Sequence, residues 1–178
     1  GVSGYEENVA KIVKERFEKV FGNAEVDDFY NVTAKIGEGE PLIYCSAHID
    51  EIGLMVTTIE EDGFLGFCSV GGVDPRILMA QEVKVQTKSG ELYGIIGAKP
   101  PHVLDADDLK KAPKMHDLFI DIGFKAEKAK ELVQVGDMVT FVAPPIKLLN
   151  GRMASKTMDD RMGVIMMLEA AKYLKGKD

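Results

Sequence analysis

The chain contains no tryptophan, only two cysteines and only three histidines. Two cysteines, Cys45 and Cys68, both inside apolar strand-like stretches, provide neither a disulfide framework nor a paired-thiol metal site, and read as free buried thiols. No apolar run approaches the roughly 18 residues needed to cross a bilayer. The first residues, Gly1-Val2-Ser3-Gly4, have neither the basic nor the apolar region of a secretory leader. A cytoplasmic protein is expected. Positive charge is in deficit as well: 22 Lys and Arg against 29 Asp and Glu leave a net charge of −7. With no basic stripe interleaved with aromatics, neither nucleic acid nor an anionic membrane is an expected partner. The mixed-charge stretches at Lys110-Lys111 and Lys125 to Lys130 read as solvated faces.

What is present suits a folded domain. Of the 178 residues, 46% are hydrophobic and 29% charged, enough for one ordinary domain or two small ones with real cores. Ser3 and Glu6 have capping-box spacing, and Val9, Ile12, Val13, Phe17, Val20 and Phe21 recur at helical period up to a stop at Gly22. Short strands are expected near 24–29 and 32–36. The apolar run Leu42-Ile43-Tyr44-Cys45-Ser46-Ala47 reads as a strand buried on both faces. Strands are then expected at 52–59, 64–70, 83–87, 92–96, 118–122 and 138–142, with one short helix at 126–132. Such a series of short strands suggests a small barrel or sandwich. The stretch 100–115, with its acidic run Asp105-Ala106-Asp107-Asp108, reads as an exposed loop. Helical period resumes after Ser155, with Ile165, Leu168, Ala171 and Leu174 facing a core.

The expected fold class is therefore α/β, a layer interrupted by a small all-β, barrel-like insert. The boundaries expected are 1–63 for the first α/β segment, 64–153 for the insert and 154–178 for the second segment.

His48 and Asp50 stand at the carboxyl end of the run 42–47, where ligand sites of open α/β sheets gather. A carboxylate two positions away can hold the second ring nitrogen of a metal-bound imidazole. A lone His-x-Asp also suits an ordinary polar strand end. Asp159-Asp160-Arg161 opens the last helix, where a carboxylate is either a simple N-cap or a metal ligand steadied by its neighbours. Glu51 lies one position past Asp50 and should point elsewhere. His102 and His116 read as exposed loop histidines. Gly71-Gly72 reads as a tight turn rather than a phosphate loop, and Gly94-Ile95-Ile96-Gly97 as close strand packing.

Taken together, Gly1-Val2-Ser3-Gly4-Tyr5-Glu6, Ala47-His48-Ile49-Asp50-Glu51-Ile52-Gly53, Val70-Gly71-Gly72-Val73-Asp74, Gly136-Asp137 and Asp159-Asp160-Arg161 with Gly163 form a pattern in order. It resembles the dinuclear metalloaminopeptidases of the glutamyl and tetrahedral (TET) aminopeptidase family, some of which have been labelled cellulases or endoglucanases. The resemblance implies a metallopeptidase-type α/β catalytic domain. His48 would bind one ion, Asp159 would bridge two, and Asp50 would be the catalytic carboxylate orienting His48; Asp160 and Arg161 would be local support. The cofactor would be a pair of divalent ions, zinc, cobalt or manganese. Partners would be peptide substrates and further copies of the chain, with the β insert as a dimerisation domain building a larger assembly. Two ions about 3.5–4 Å apart can acidify a water and polarise a scissile carbonyl. The pattern is incomplete, however. After Asp159 the only acids besides Asp160 are Glu169 and Asp178, and the family's later Glu-Glu pair, further Asp and final His have no counterparts. The expected function is a metal-dependent aminopeptidase whose later ligands and general base this chain lacks. Alternatives are a non-catalytic assembly module, or a glycan hydrolase, which would need two opposed carboxylates across a sugar groove.

Overall fold

The computed structural model describes residues 1–103, 105 and 111–175. The chain divides into two compact units. One holds Ile52–Ala143 together with Val2; the other holds Gly1, Ser3–Glu51 and Pro144 onward. The sequence places these boundaries at 63/64 and 153/154.

In the discontinuous unit, helix α1 (Glu7–Phe21) ends where Gly22 turns left-handed at φ 84° and donates its N–H to the Glu18 carbonyl. The stop expected at Gly22 is therefore present, but the capping box is not. Glu6 takes the cap position without a side-chain hydrogen bond to the helix; instead its carboxylate accepts from the Gly4 N–H at 2.8 Å. Ser3 is engaged elsewhere. Val13 and Phe17 are buried as expected, whereas Ile12 is exposed. Two short strands, β1 (Glu25–Val26) and β2 (Val32–Thr33), pair antiparallel.

The run 42–47 departs most from expectation. It forms no strand. Leu42, Ile43 and Tyr44 are 66%, 82% and 81% exposed, and Cys45 is an exposed free thiol rather than a buried one. A strand buried on both faces requires hydrogen-bonded neighbours and covering layers. The described residues of this unit supply neither, so apolarity alone does not bury the run.

The continuous unit is built around a closed barrel of six strands: β3 (Gly53–Ile59), β4 (Leu65–Val70), β5 (Glu82–Thr87), β6 (Gly90–Ala98), β7 (Leu118–Asp121) and β8 (Met138–Phe141). Their order around the barrel is β3-β4-β7-β6-β5-β8, every pair antiparallel. Alternation explains the closure: Leu54 and Val56 on β3, Val83 and Val85 on β5 and Val139 on β8 point inward and are fully buried. Helix α2 (Ala126–Leu132) adds Ala129, and Val133 beyond its end, to the same core. Glycines on β6 mark close strand approach, as expected. A Cβ on Gly94 would stand 2.8 Å from Ile120, and one on Gly97 would stand 2.6 Å from the Phe119 ring. Gly71, at φ 81°, makes the tight turn expected of it. Most of the acidic stretch around Asp107-Asp108, with Lys110, lies outside the described residues.

Past the barrel, β9 (Ile146–Lys147) pairs antiparallel with β10 (Met153–Ala154), and helix α3 (Met158–Leu174) follows. Leu168 and Ala171 are buried as expected, and so is Val164; Ile165, Met166 and Leu174 are exposed. Helices α1 and α3 share a small core of Val13, Phe17, Val164 and Leu168, against which Ala47 and Ile49 pack.

Candidate functional site

The segment carrying His48 is irregular, yet it keeps the two-residue alternation of extended chain. Ala47 and Ile49 face the helical core and Glu51 is buried, while His48 and Asp50 project together on the other side. That alternation decides which side chains meet. The His48 Nδ1 lies 2.8 Å from Asp50 Oδ1, and the other oxygen of Asp50 accepts a hydrogen bond from the Ser3 hydroxyl. Ser3, expected to cap a helix, thus braces the carboxylate behind the imidazole.

On its other flank, His48 Nε2 lies 3.0 Å from Asp159 Oδ1, across 111 positions of sequence. The three residues singled out from the sequence therefore stand in one line, Asp50 to His48 to Asp159. Asp160 does the capping, accepting from the Gly163 N–H at 3.1 Å. Asp159, with non-helical backbone at φ −90° and ψ 110°, leaves its side chain 96% exposed and aimed at the imidazole.

Gly163 makes this approach possible. A Cβ there would sit 2.8 Å from the Ala47 Cβ and from both carboxylate oxygens of Asp160. Arg161 adds a crosslink, donating from Nε to the Ile49 carbonyl at 3.0 Å. Glu51 points away from His48 and Asp50, as its position in an extended chain predicts. It is 7% exposed, meets the Lys156 ammonium at 2.8 Å and the Gly1 amino group at 3.0 Å, and lies 3.7 Å from the Arg161 guanidinium. The sequence signal for this was available: an acid at an inward-facing register position is rarely left unpaired.

Electrostatics follow the contacts. The Ser3 hydroxyl, ahead of His48, holds the Asp50 carboxyl below its ordinary value, against a smaller opposing effect of burial. For His48, desolvation favours the neutral ring, but hydrogen bonds and charges from Asp159 and Asp50 together outweigh it and raise the imidazole above its usual value. Burial likewise pushes Glu51 up, and its cationic partners more than reverse this.

As a metal site the arrangement is partial. An imidazole with one nitrogen held by a carboxylate and the other facing a second carboxylate has the donor chemistry of a divalent-cation ligand pair. Catalytic zinc centres take three protein ligands and structural ones four. Among the described residues no group of three or more His, Cys, Asp or Glu could hold an ion. His102 and His116 do not complete it. Both are exposed, the latter 3.7 Å from Asp117. Glu169 pairs with Lys172 along α3. No helix among the described residues is long and apolar enough to cross a membrane.

Comparison with known proteins supplies the family. The M42 glutamyl aminopeptidase model matches residues 31–178. A lysyl aminopeptidase of Pyrococcus furiosus is 34% identical over 178 residues, spanning 98% of this chain and 51% of that protein. Among solved structures, a TET aminopeptidase from the marine sediment archaeon Thaumarchaeota archaeon SCGC AB-539-E09 superimposes with a TM-score of 0.92 at 38% identity, over 98% of this chain and 50% of its own. The TET1 peptidase of Pyrococcus horikoshii, described as assembling into a tetrahedron or a large octahedral shell, gives 0.86 at 41% identity, over 98% and 52%. The chain spans about half the length of these relatives. With a family model covering most of its residues and relatives matched along nearly its full length, this chain belongs to the M42 glutamyl aminopeptidase family.

Proposed function

We propose that this chain is the amino-terminal portion of a metal-dependent aminopeptidase that removes N-terminal residues from peptides at a dinuclear centre. The observation that carries the reading is the line Asp50–His48–Asp159, with a carboxylate oxygen about one hydrogen bond from each ring nitrogen. His48 and Asp159 would hold metal, and Asp50 would fix the ring and raise its basicity. When bound, such ions acidify a water and polarise a carbonyl. The remaining ligands and the general base would come from sequence equivalent to the other half of the relatives. This chain alone is expected to be inactive. Zinc, cobalt and manganese all suit an imidazole with carboxylates, and the same reading takes the protein to be cytoplasmic and homo-oligomeric, the barrel unit mediating assembly.

The test is made on a polypeptide of the relatives' length carrying this sequence. Supplied with zinc or cobalt, it should release free amino acids from short peptides, and Asp159→Ala should lower kcat/KM by at least ~100-fold, the scale on which removal of charge stabilisation is felt. Normal turnover by the variant would rule out the bridging role.

A non-catalytic assembly module is the second reading, favoured by the closed barrel with its own core and by the lack, among the described residues, of any group of three candidate ligands. Elemental analysis separates the two, since about two ions per full-length subunit fit the enzyme and none fits the module. Parallel assays on peptides and cellulose address the glycan-hydrolase alternative.

A further inference from the structure

Glu51 has no part in the chemistry proposed above, yet it is one of two buried polar residues among those described. A carboxylate removed from water is costly unless paired, and removing one partner of a buried pair leaves the other exposed to that cost. Its partners are informative. Lys156 and Arg161 flank Asp159 in sequence on the far arm of the site, at 2.8 Å and 3.7 Å from the Glu51 oxygens. Arg161 also donates to the carbonyl of Ile49, the residue between His48 and Asp50. Its outer nitrogen NH2 is buried with no hydrogen-bond partner, so the charge of Glu51 is the anion it faces.

We propose that Glu51 is a positioning residue: its buried carboxylate, gripping Lys156 and Arg161, clamps the segment 48–51 to the segment 156–161 and thereby sets the separation of His48 and Asp159. The geometry follows from chain alternation. Because Glu51 faces inward where His48 and Asp50 face outward, the clamp lies beneath the candidate ligands rather than among them. Asp159 is 96% exposed, and among the described residues the one side-chain hydrogen bond found for it is to the imidazole. The clamp supplies registration from below. The relevance of the clamp to metal binding rests on the function proposed above; the clamp itself does not.

The test is a double-mutant cycle read on the His48 ring nitrogens by 15N NMR of the metal-free 178-residue chain. In the wild type, Asp159→Asn should shift the Nε2 resonance, because a charged acceptor is lost. In an E51Q background, which keeps size but removes charge, and separately in K156M, the same substitution should produce a shift smaller by about twofold or more, since sites coupled through one network are not additive. A residue that merely stabilised the fold would leave that shift unchanged while lowering Tm. Equal shifts in all three folded backgrounds would overturn the proposal, and K156M decides it if E51Q does not fold. Adding Zn2+ to a polypeptide of the relatives' length carrying this sequence tests the metal reading separately. If zinc leaves His48 unmoved while the coupling is present, the metal reading fails and the clamp stands; if zinc moves His48 and the coupling is absent, the clamp fails alone.

Discussion

At the residue scale, a single imidazole is held between two carboxylates of different standing. Asp50 is part-buried and braced by Ser3, whereas Asp159 is open to solvent. Ser3→Ala should therefore act on Asp50 first: its carboxyl should rise toward the ordinary 3.8, followed by 13C NMR titration, with stability lowered by about 0.5–1.5 kcal/mol, the usual net worth of one hydrogen bond. An unchanged titration would show that the hydroxyl does not hold the carboxylate. The pH dependence has two edges. Asp50 is depressed in the fold, so its contribution is present above 3.8 and fades as pH falls through its folded value. His48 is raised, so its contribution is full below 6.5 and is lost as pH climbs through its folded value. The stability difference between wild type and Asp159→Asn, taken from denaturant midpoints, should accordingly shrink as pH climbs above 6.5 through the folded value of His48. The grouping of His48, Asp50 and Asp159 was approachable in sequence through short spacing and motif order. For Glu51 only the inward register position was readable, because its partners Lys156 and Arg161 are brought to it by folding across more than a hundred positions.

At the element scale, regular alternation was readable and tertiary cover was not. Strands β3 to β8 and helix α2 lie close to where periodicity places them, since each has its partners within the barrel. The expected strand 42–47 fails for want of neighbours. This difference predicts opposite responses. Val85→Ala, at a fully buried barrel position, should cost about 2 kcal/mol or more with its cavity. Ile43→Asp, at an 82% exposed position, should change stability by no more than ~0.5 kcal/mol. Urea unfolding of each checks this; a large loss from Ile43→Asp would mean the run is buried after all. The start of α3 offers another contrast. Gly163→Ala gains helix propensity of roughly 1 kcal/mol, but its Cβ would stand 2.8 Å from Ala47 and Asp160, and such overpacking costs on the order of 1–3 kcal/mol. The steric term should win. A lower Tm and loss of the His48 to Asp159 contact are expected, and a higher Tm would show that the helix start yields freely.

At the scale of the whole molecule, the chain gives a complete barrel and a partial site. The family pattern was legible because several short motifs occur in one order; β3 reads from sequence as the edge of the α/β part, while its pairing with β4 and β8 puts it in the barrel. Leu42, Ile43 and Tyr44 are exposed, among the described residues no three candidate ligands stand together, and the chain spans about half the length of its relatives. The central claim is that His48 and Asp159 share a metal ion. Anomalous diffraction at the zinc edge, from crystals of a full-length polypeptide carrying this sequence and grown with zinc, tests it directly. A peak about 2.0–2.2 Å from both His48 Nε2 and an Asp159 carboxylate oxygen is the predicted result; peaks elsewhere, with those two side chains still bonded only to each other, would contradict it.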